Sequence, residues 1–418
     1  MEIEVRVNER RMPTEPPTVP PTVPPTVPAT VPATVPATGR GTTRRVSAAS
    51  AASTASAPTL TQSDTSAPGA TTRTKTVLVL YNNDFDDILP TLGPLGRDKS
   101  EVSRSAYQIL DAVAAAGYGA DLLGMSGRDL PEALGEIQRR APDLVFNLTE
   151  SLAQESNNEI VMPAVLDMYG IPFTGSGSLA LGLCLHKPKA KDILRGRGVP
   201  TPASCTIERA RDAAAVDLPY PLFVKLARED ASVGIIDANV VWSRRALVKR
   251  VRELIDEFQQ PVLVERYIEG REVYVTLLGN EKVTTLPFHE IDFSSLPSGR
   301  PHIVGYAAKW DEASPEYHGT KPVPMRGVSP ALRASVERTA IAAFRALELR
   351  DYGRVDFRVA EDGTPYVIDV NPNCDISPDA GVARAALVAG MSYPQLIGRI
   401  CEVAWERVQH ACTKARAA

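Results

Sequence analysis

The chain has 418 residues, 44% of them hydrophobic, and a formal net charge of −4 at pH 7, which suits a soluble multidomain globular protein able to bury more than one core. Acidic and basic residues nearly balance, so no basic field invites nucleic acid. No apolar run approaches the ~18 residues of a membrane span, and the N-terminus lacks the apolar block of a signal peptide, so the expected compartment is the cytoplasm. Five cysteines, at 184, 205, 374, 401 and 412, form no CxxC pair or Cys/His cluster, which argues against a disulfide framework and against a zinc site.

Twelve of the 35 prolines precede Lys75, and residues 16 to 38 read PPTVPPTVPPTVPATVPATVPAT, followed by SAASAASTASAPT. Few large side chains are present there to offset ordering entropy, so residues 1–74 are expected to be a disordered Pro/Thr/Ala-rich arm, partly polyproline II, that performs no chemistry. From Lys75 the pattern changes. KTVLVLYN reads as a buried strand, and SRSAYQILDAVAAAGY as a helix with Tyr107, Leu110, Val113 and Ala114 at helical spacing. Next come the strand GADLLG, a helix opening at RDLPEAL, the strand DLVFNL, and a helix through NNEIVMPAVLDMYG that stops at Gly170. Strands alternating with helices predict a parallel sheet with right-handed crossovers, hence one α/β domain over 75–174. Ligands in such sheets sit at the strand carboxyl ends, here YNND, LLGM and FNLTES.

A second block, 175–264, holds PLFVKLAREDASVGI, the amphipathic helix SRRALVKRVRELIDEF and the strand PVLVERYI. The third, 265–418, brings the strand EVYVTLLGN and a loop rich in proline and charge, AAKWDEASPEYHGTKPVPM. The long helix PALRASVERTAIAAFRALEL follows, then the hairpin GRVDFRVAEDGTPYVIDVNPN and a final helix over 393–410.

The hairpin poses a chemical question. With Asp362-Gly363 as the centre of a type I′ turn, Asp356 faces Asp369 and Arg354 faces Asn371. Alternation then puts Val355, Phe357 and Val359 on one face with Tyr366, Ile368 and Val370, and the four polar residues on the other. Opposed carboxylates repel unless a cation lies between them, and an oxygen-only set of two Asp and one Asn suits magnesium. The alternative is an exposed hairpin face with Arg354 neutralising the acids. A magnesium-nucleotide site also needs cations for phosphates. Lys225 ends an apolar strand beside the turn at Ser232 to Gly234, whose backbone could face a phosphate, while Lys187 and Lys309 are further candidates or ordinary surface lysines. Glu265 and Glu272 are two acceptors in VERYIEGRE, or partners of Arg266 and Arg271.

In this order the residues resemble the ATP-grasp superfamily, and within it the D-alanine:D-alanine ligases, over about residues 75 to 410. The pieces that carry the resemblance are GIPFTGSGSLAL, HKPKAKDILRGRGVPTP, FVKLAREDASVGI, VLVERYIEGREVYVTLLG and GRVDFRV with VIDVNPN. The resemblance implies an ATP-grasp fold, α+β in the nucleotide-binding part, after an N-terminal Rossmann-like parallel-sheet domain. It implies ATP with magnesium or manganese, amino-acid or small-peptide substrates, and a homodimer. Lys187 and Lys225 would hold the nucleotide phosphates and Lys309 would approach the γ-phosphate. Glu265 would mark the adenine link, the backbone of Arg266 to Ile268 would read the adenine edge, and Glu272 would hold the ribose. Asp356, Asp369 and Asn371 match the magnesium ligands, with Asp369 where Glu is usual, and Arg354 matches the arginine that stabilises the oxyanion. KSEVSRSA makes Glu101 the candidate for gripping a substrate ammonium.

Departures fall on the substrate side. Glu150-Ser151 stand where the family has His-Gly, Cys374-Asp375 where it continues towards Pro-Gly, and Ala380 where a serine receives the second substrate's carboxylate. The negative charge of Asp375 would repel a carboxylate and favour an amine, so a changed acceptor is the expectation. Cys374 reads as a packing residue rather than a nucleophile, and Trp310 as an aromatic cap on a closing loop, 311–325, or a core contact. A non-catalytic ATP-binding module is the rival reading; the presence of all three lysines and all three metal-ligand candidates argues against it.

Overall fold

The structure, a computed structural model, describes residues 73–83 and 99–417. The expected disordered arm therefore lies outside the described residues apart from its last two positions. β1 (Thr76–Asn82) is apolar on both faces, with Val77, Leu78, Val79 and Leu80 all buried, as the centre of a covered parallel sheet requires. α1 (Lys99–Ala115) starts four residues before Ser103, where the apolar spacing placed it. β2 (Gly119–Met125), α2 (Leu130–Arg140) and β3 (Leu144–Leu148) complete a parallel sheet of order β2-β1-β3. α3 (Val161–Met168) follows a 3-10 turn over Ser156–Ile160 and stops before Gly170, whose φ of +65° only glycine adopts at little cost.

α4 (Ser178–Leu185) and α5 (Lys187–Gly196) lead to a four-stranded sheet built from β4 (Ser204–Ile207), β5 (Leu222–Leu226), β6 (Val240–Val241) and, after α6 (Arg244–Phe258), β7 (Val262–Arg266), in the order β4-β7-β5-β6. Leu247, Val251 and Leu254 of α6 bury against Val224, Val262 and Val264. The helix is capped by Ser243, whose hydroxyl accepts from the Ala246 N–H.

The largest sheet is antiparallel throughout. β8 (Arg271–Leu278), β9 (Thr284–Thr285) and β10 (His289–Asp292) precede α7 (Tyr306–Trp310), α8 (Pro315–Gly319) and β11 (Lys321–Pro324). Two short helices and a strand thus occupy the stretch expected to be a loop. α9 (Pro330–Ala346), the hairpin β12 (Tyr352–Val359) and β13 (Pro365–Asn371), α10 (Gly381–Val388) and α11 (Tyr393–Ala417) complete the chain. The strand order is β11-β10-β8-β12-β13, with β9 beside β8. Ala180, Cys184, Ala190 and Leu194, from α4 and α5, pack into this sheet's core with Val273, Val275 and Phe357. α11 runs back to the first sheet, where Ile400, Cys401 and Ala404 meet Ile109 and Val113.

The hairpin keeps the expected pairs Arg354↔Asn371 and Asp356↔Asp369, but its turn is not type I′. Of Asp362-Gly363 only the glycine has positive φ, and the closing bonds run from Ala360 N–H to Thr364 O and from Gly363 N–H to Ala360 O. A bulge beyond Asp356 absorbs the longer turn by pairing Phe357 with Val367. Val367 therefore takes the core position expected for Tyr366 and Ile368, which are half-buried.

Asp351, wholly buried with φ +64°, ties distant segments together. Its carboxylate accepts from the Gly175 N–H at 2.9 Å, Asn280 Nδ2 at 3.0 Å, and Arg407 Nε and Nη2 at 2.9 Å each. Asp351→Ala strips the acceptor from an arginine and a buried N–H and is expected to cost roughly 3 kcal/mol. Urea denaturation monitored by circular dichroism checks this; an unshifted midpoint would contradict it.

Candidate functional site

Two lysines on α5 and one on β5 reach the same interior. Lys187 opens α5, and Lys191 lies one turn on, so both ammonium groups leave the helix on one side. Lys187 Nζ is 2.5 Å from Asp230 Oδ1 and 3.6 Å from Asp369 Oδ2. Lys191 Nζ is 2.7 Å from Glu265 Oε2 and donates to Thr201 Oγ1 at 2.9 Å. Lys225 Nζ donates to the Ile368 carbonyl at 2.9 Å and sits 3.1 Å from Glu265 Oε1. Burial would raise the pKa of Glu265, but Lys191 and Lys225 outweigh it and hold the carboxyl below its usual range. The side chain of Glu265 thus faces lysines, while Arg266, Tyr267 and Ile268 after it line a narrow cavity of about 120 Å³.

Glu272, farther along that cavity, is engaged through both oxygens. Tyr274 Oη donates to Oε1 at 2.9 Å and Arg358 Nη1 to Oε2 at 3.2 Å. Arg358 also donates through Nε to the Ile268 carbonyl at 2.8 Å and through Nη1 to the His302 carbonyl at 3.1 Å. Burial keeps the Glu272 carboxyl above its usual pKa, with Arg358 opposing.

On the hairpin, Arg354 forks onto Asp356, Nε to Oδ1 at 2.7 Å and Nη2 to Oδ2 at 2.9 Å, and Asn371 Nδ2 donates to the same Oδ2 at 3.1 Å. Asp369 stands opposite. Burial would raise its pKa, yet Lys187, Lys225, Lys191 and Lys309 pull it below the ordinary value. Asp356 is 7% exposed, so this is not the solvated hairpin face offered as an alternative. Among the described residues no three His, Cys, Asp or Glu side chains gather as a metal site. Two carboxylates and one amide oxygen fit a hard cation that takes its other ligands from water and phosphate, as magnesium does.

Lys309, on α7, lines both this cavity and a wider cleft of about 1100 Å³. Ser232 lies in a turn where Ala231 and Ser232 have φ of +53° and +63°. Its Val233 N–H donates to the Asp230 carbonyl, and Ser232 Oγ to the Val304 carbonyl at 3.0 Å. Trp310 Nε1 donates to the Ala231 carbonyl at 3.1 Å, so α7 is bonded to that turn.

The wide cleft is lined by Arg104, Glu150, Glu159, Asp375 and Arg384 among others. Glu101 lies in the first turn of α1, with its side chain outside the described residues. Asp375 Oδ1 accepts from Ser377 N–H at 2.9 Å and Ser377 Oγ at 2.5 Å. One of its oxygens is thus held by its own loop, while the residue stays exposed at the cleft wall. Ala380 is the N-cap of α10 and offers no side-chain cap. Burial pushes the Cys374 thiol up to about 12, as suits a packing residue.

Lys191, Asp230, Tyr274 and Arg358 were not singled out from the sequence. Lys191 repeats Lys187 at i+4, and Arg358 and Tyr274 continue the alternation of Asp356 and Glu272, so the periodicity held a signal for these three; Asp230, at the start of a turn, follows no period.

The family model "D-ala D-ala ligase C-terminus" matches residues 195–402. An uncharacterized protein, y4sG, of Sinorhizobium fredii is 35% identical over 268 residues, 64% of this chain and 76% of its own. A D-alanine–D-alanine ligase of Chromohalobacter salexigens is 31% identical over 271 residues, 64% of this chain and 80% of its own. Among solved structures, D-alanine–D-alanine ligase from Bacillus anthracis complexed with ATP aligns with a TM-score of 0.59 at 21% identity, covering 81% of this chain and 99% of its own. The VanG D-Ala:D-Ser ligase of Enterococcus faecalis aligns equally, TM-score 0.59 at 18% identity, covering 79% and 100%. With the fold of those structures and such identity to curated relatives over most of their length, the chain belongs to the D-alanine–D-alanine ligase family of ATP-grasp proteins.

Proposed function

We propose that the protein joins two amino acids by ATP-dependent carboxylate–amine ligation through an acyl phosphate, in the manner of a D-alanine:D-alanine ligase. The observation that carries the reading is the convergence of Lys187, Lys225, Lys309, Arg354, Asp356, Asp369 and Asn371 on the wall of one cavity. The reading keeps three parts, 75–174, 175–264 and 265–418, supported by the sheet in each range, with β7 running to Arg266 just past the second boundary.

In the first step a substrate carboxylate oxygen attacks the γ-phosphorus and ADP leaves. Lys187, Lys225 and Lys309 offer ammonium groups to the phosphates, with Ser232 in the neighbouring turn, while Glu265 holds Lys225 in place. Lys187 exchanges its bond to Asp230 for phosphate. The backbone of Arg266 to Ile268 takes the adenine edge and Glu272 the ribose. Asp356, Asp369 and Asn371 would hold magnesium or manganese, which when bound neutralises phosphate charge. In the second step an amine nitrogen attacks the acyl carbon, and Arg354, anchored by Asp356, steadies the oxyanion until phosphate leaves. Glu101 grips a substrate ammonium. A second reading, ligation to a different acceptor, is favoured by Ala380, which presents no hydroxyl at the α10 terminus, and by Asp375 in the cleft wall. Action in the cytoplasm as a homodimer belongs to the same proposal. No described helix is long and apolar enough to cross a membrane.

Phosphate release from ATP with magnesium, against D- and L-amino acids singly and in pairs, tests the reading, with Asp356→Asn as the blank. Release with D-alanine alone and a dipeptide by mass is expected; release only with another pair assigns the second reading, and none with any pair contradicts both. Arg354→Ala removes a preorganised oxyanion donor and is expected to lower kcat by ~10²–10³. More than a tenth of the activity surviving would take Arg354 out of the mechanism.

A further inference from the structure

Tyr274 stands on β8 between the nucleotide end of the site and the hairpin that carries the catalytic arginine, and it lines both the narrow cavity and the wide cleft. Alternation along the strand puts it on the same face as Glu272, and the register sets it beside Asp356. Its hydroxyl donates to Glu272 Oε1 at 2.9 Å. Its ring lies under the Arg354 guanidinium, 5.0 Å from the central carbon to the ring centroid. Arg354 is thereby fixed twice, at one edge by its fork onto Asp356, which uses two of its five N–H donors, and across one face by the ring. Burial and then Glu272 push the Tyr274 phenol well above its usual pKa. Arg358 holds the other Glu272 oxygen, so loss of the Tyr274 hydroxyl frees the carboxylate to rotate about a single anchor.

We propose that Tyr274 is a positioning residue that couples the two halves of the site, its hydroxyl orienting Glu272 for the nucleotide and its ring orienting Arg354 for the oxyanion. The inference rests on the ligase reading above for the roles of Glu272 and Arg354. It separates the two functions of one side chain, which a residue serving only to fill space would not do. Tyr274→Phe deletes the hydroxyl and keeps the ring; Tyr274→Leu deletes both.

The test is steady-state kinetics of the full chain and both variants on the active amino-acid pair, with ADP affinity measured separately by calorimetry. Tyr274→Phe is expected to raise the KM for ATP and the Kd for ADP about tenfold, the worth of one hydrogen bond to a charged group, with kcat lowered less than threefold. Tyr274→Leu is expected to match that loss of affinity and lower kcat by a further tenfold or so. Equal ADP affinity in wild type and Tyr274→Phe overturns the proposal, as does a Tyr274→Leu kcat equal to that of Tyr274→Phe. Should the Leu variant not fold, Tyr274→Met takes its place. Wild type inert with every amino acid would sink the ligase reading itself, and the ADP affinities of wild type and Tyr274→Phe would still decide for or against the hydroxyl's role.

Discussion

Lys187, Lys225, Glu265, Glu272, Asp356 and Arg358 are all buried around the narrow cavity, with Lys191 buried behind Glu265. A charge removed from water without a partner costs several kcal/mol, so the arrangement persists only with every member paired. The pairings cross between sheets. Lys191 and Lys225 hold Glu265, Lys225 also donates to Ile368 on the hairpin, and Lys187 sits between Asp230 and Asp369. Arg358 fastens Glu272 to the backbone of Ile268 and His302. Such ion pairs add little net stability, which comes from the apolar cores beneath them, such as Val224, Val262 and Val264 under α6. What they add is geometry: six cationic side chains and six carboxylates line the narrow cavity, so Lys187 and Lys225 are held in place by acids rather than left as surplus charge.

The same region holds backbone strain. Ala231 and Ser232 occupy the left-handed region, which costs non-glycine residues of order 1 kcal/mol or more each. The turn is held by contacts from the segment that follows β10. Trp310 bonds the Ala231 carbonyl, Ser232 bonds the Val304 carbonyl, and the Tyr306 N–H bonds the Ile235 carbonyl. At Gly305 a Cβ would come within 2.9 Å of the Ile235 carbonyl oxygen, so that close approach needs glycine. The turn beside Lys187 and the helix bearing Lys309 are therefore one unit in this structure.

Much of this was legible in the sequence where it depends on local period. The unbroken apolar run of β1, the alternation in β12 and β13, and the cross-strand pairs Asp356↔Asp369 and Arg354↔Asn371 all follow from chemistry between near neighbours. The turn type did not follow, because Asp362 can join a longer turn as readily as a two-residue one, and the bulge that restores register is set by the strand across from it. Short helices between 306 and 319 carry too few residues for a helical period to show. Lys191 and Arg358 escaped notice because a charged residue at the right spacing reads as solvated surface until the tertiary fold brings Glu265 and Glu272 to it. One oxygen of Asp375 caps its own turn at Ser377, a use that short carboxylates often take and that spacing alone does not show.

The proposed chemistry hinges on attack of a substrate carboxylate oxygen on the γ-phosphorus. Turnover with an amino acid carrying ¹⁸O in both carboxylate oxygens, followed by mass spectrometry of the released phosphate, tests it most directly. One labelled oxygen is expected in each phosphate released with product. Unlabelled phosphate, or label transferred to AMP, would contradict it.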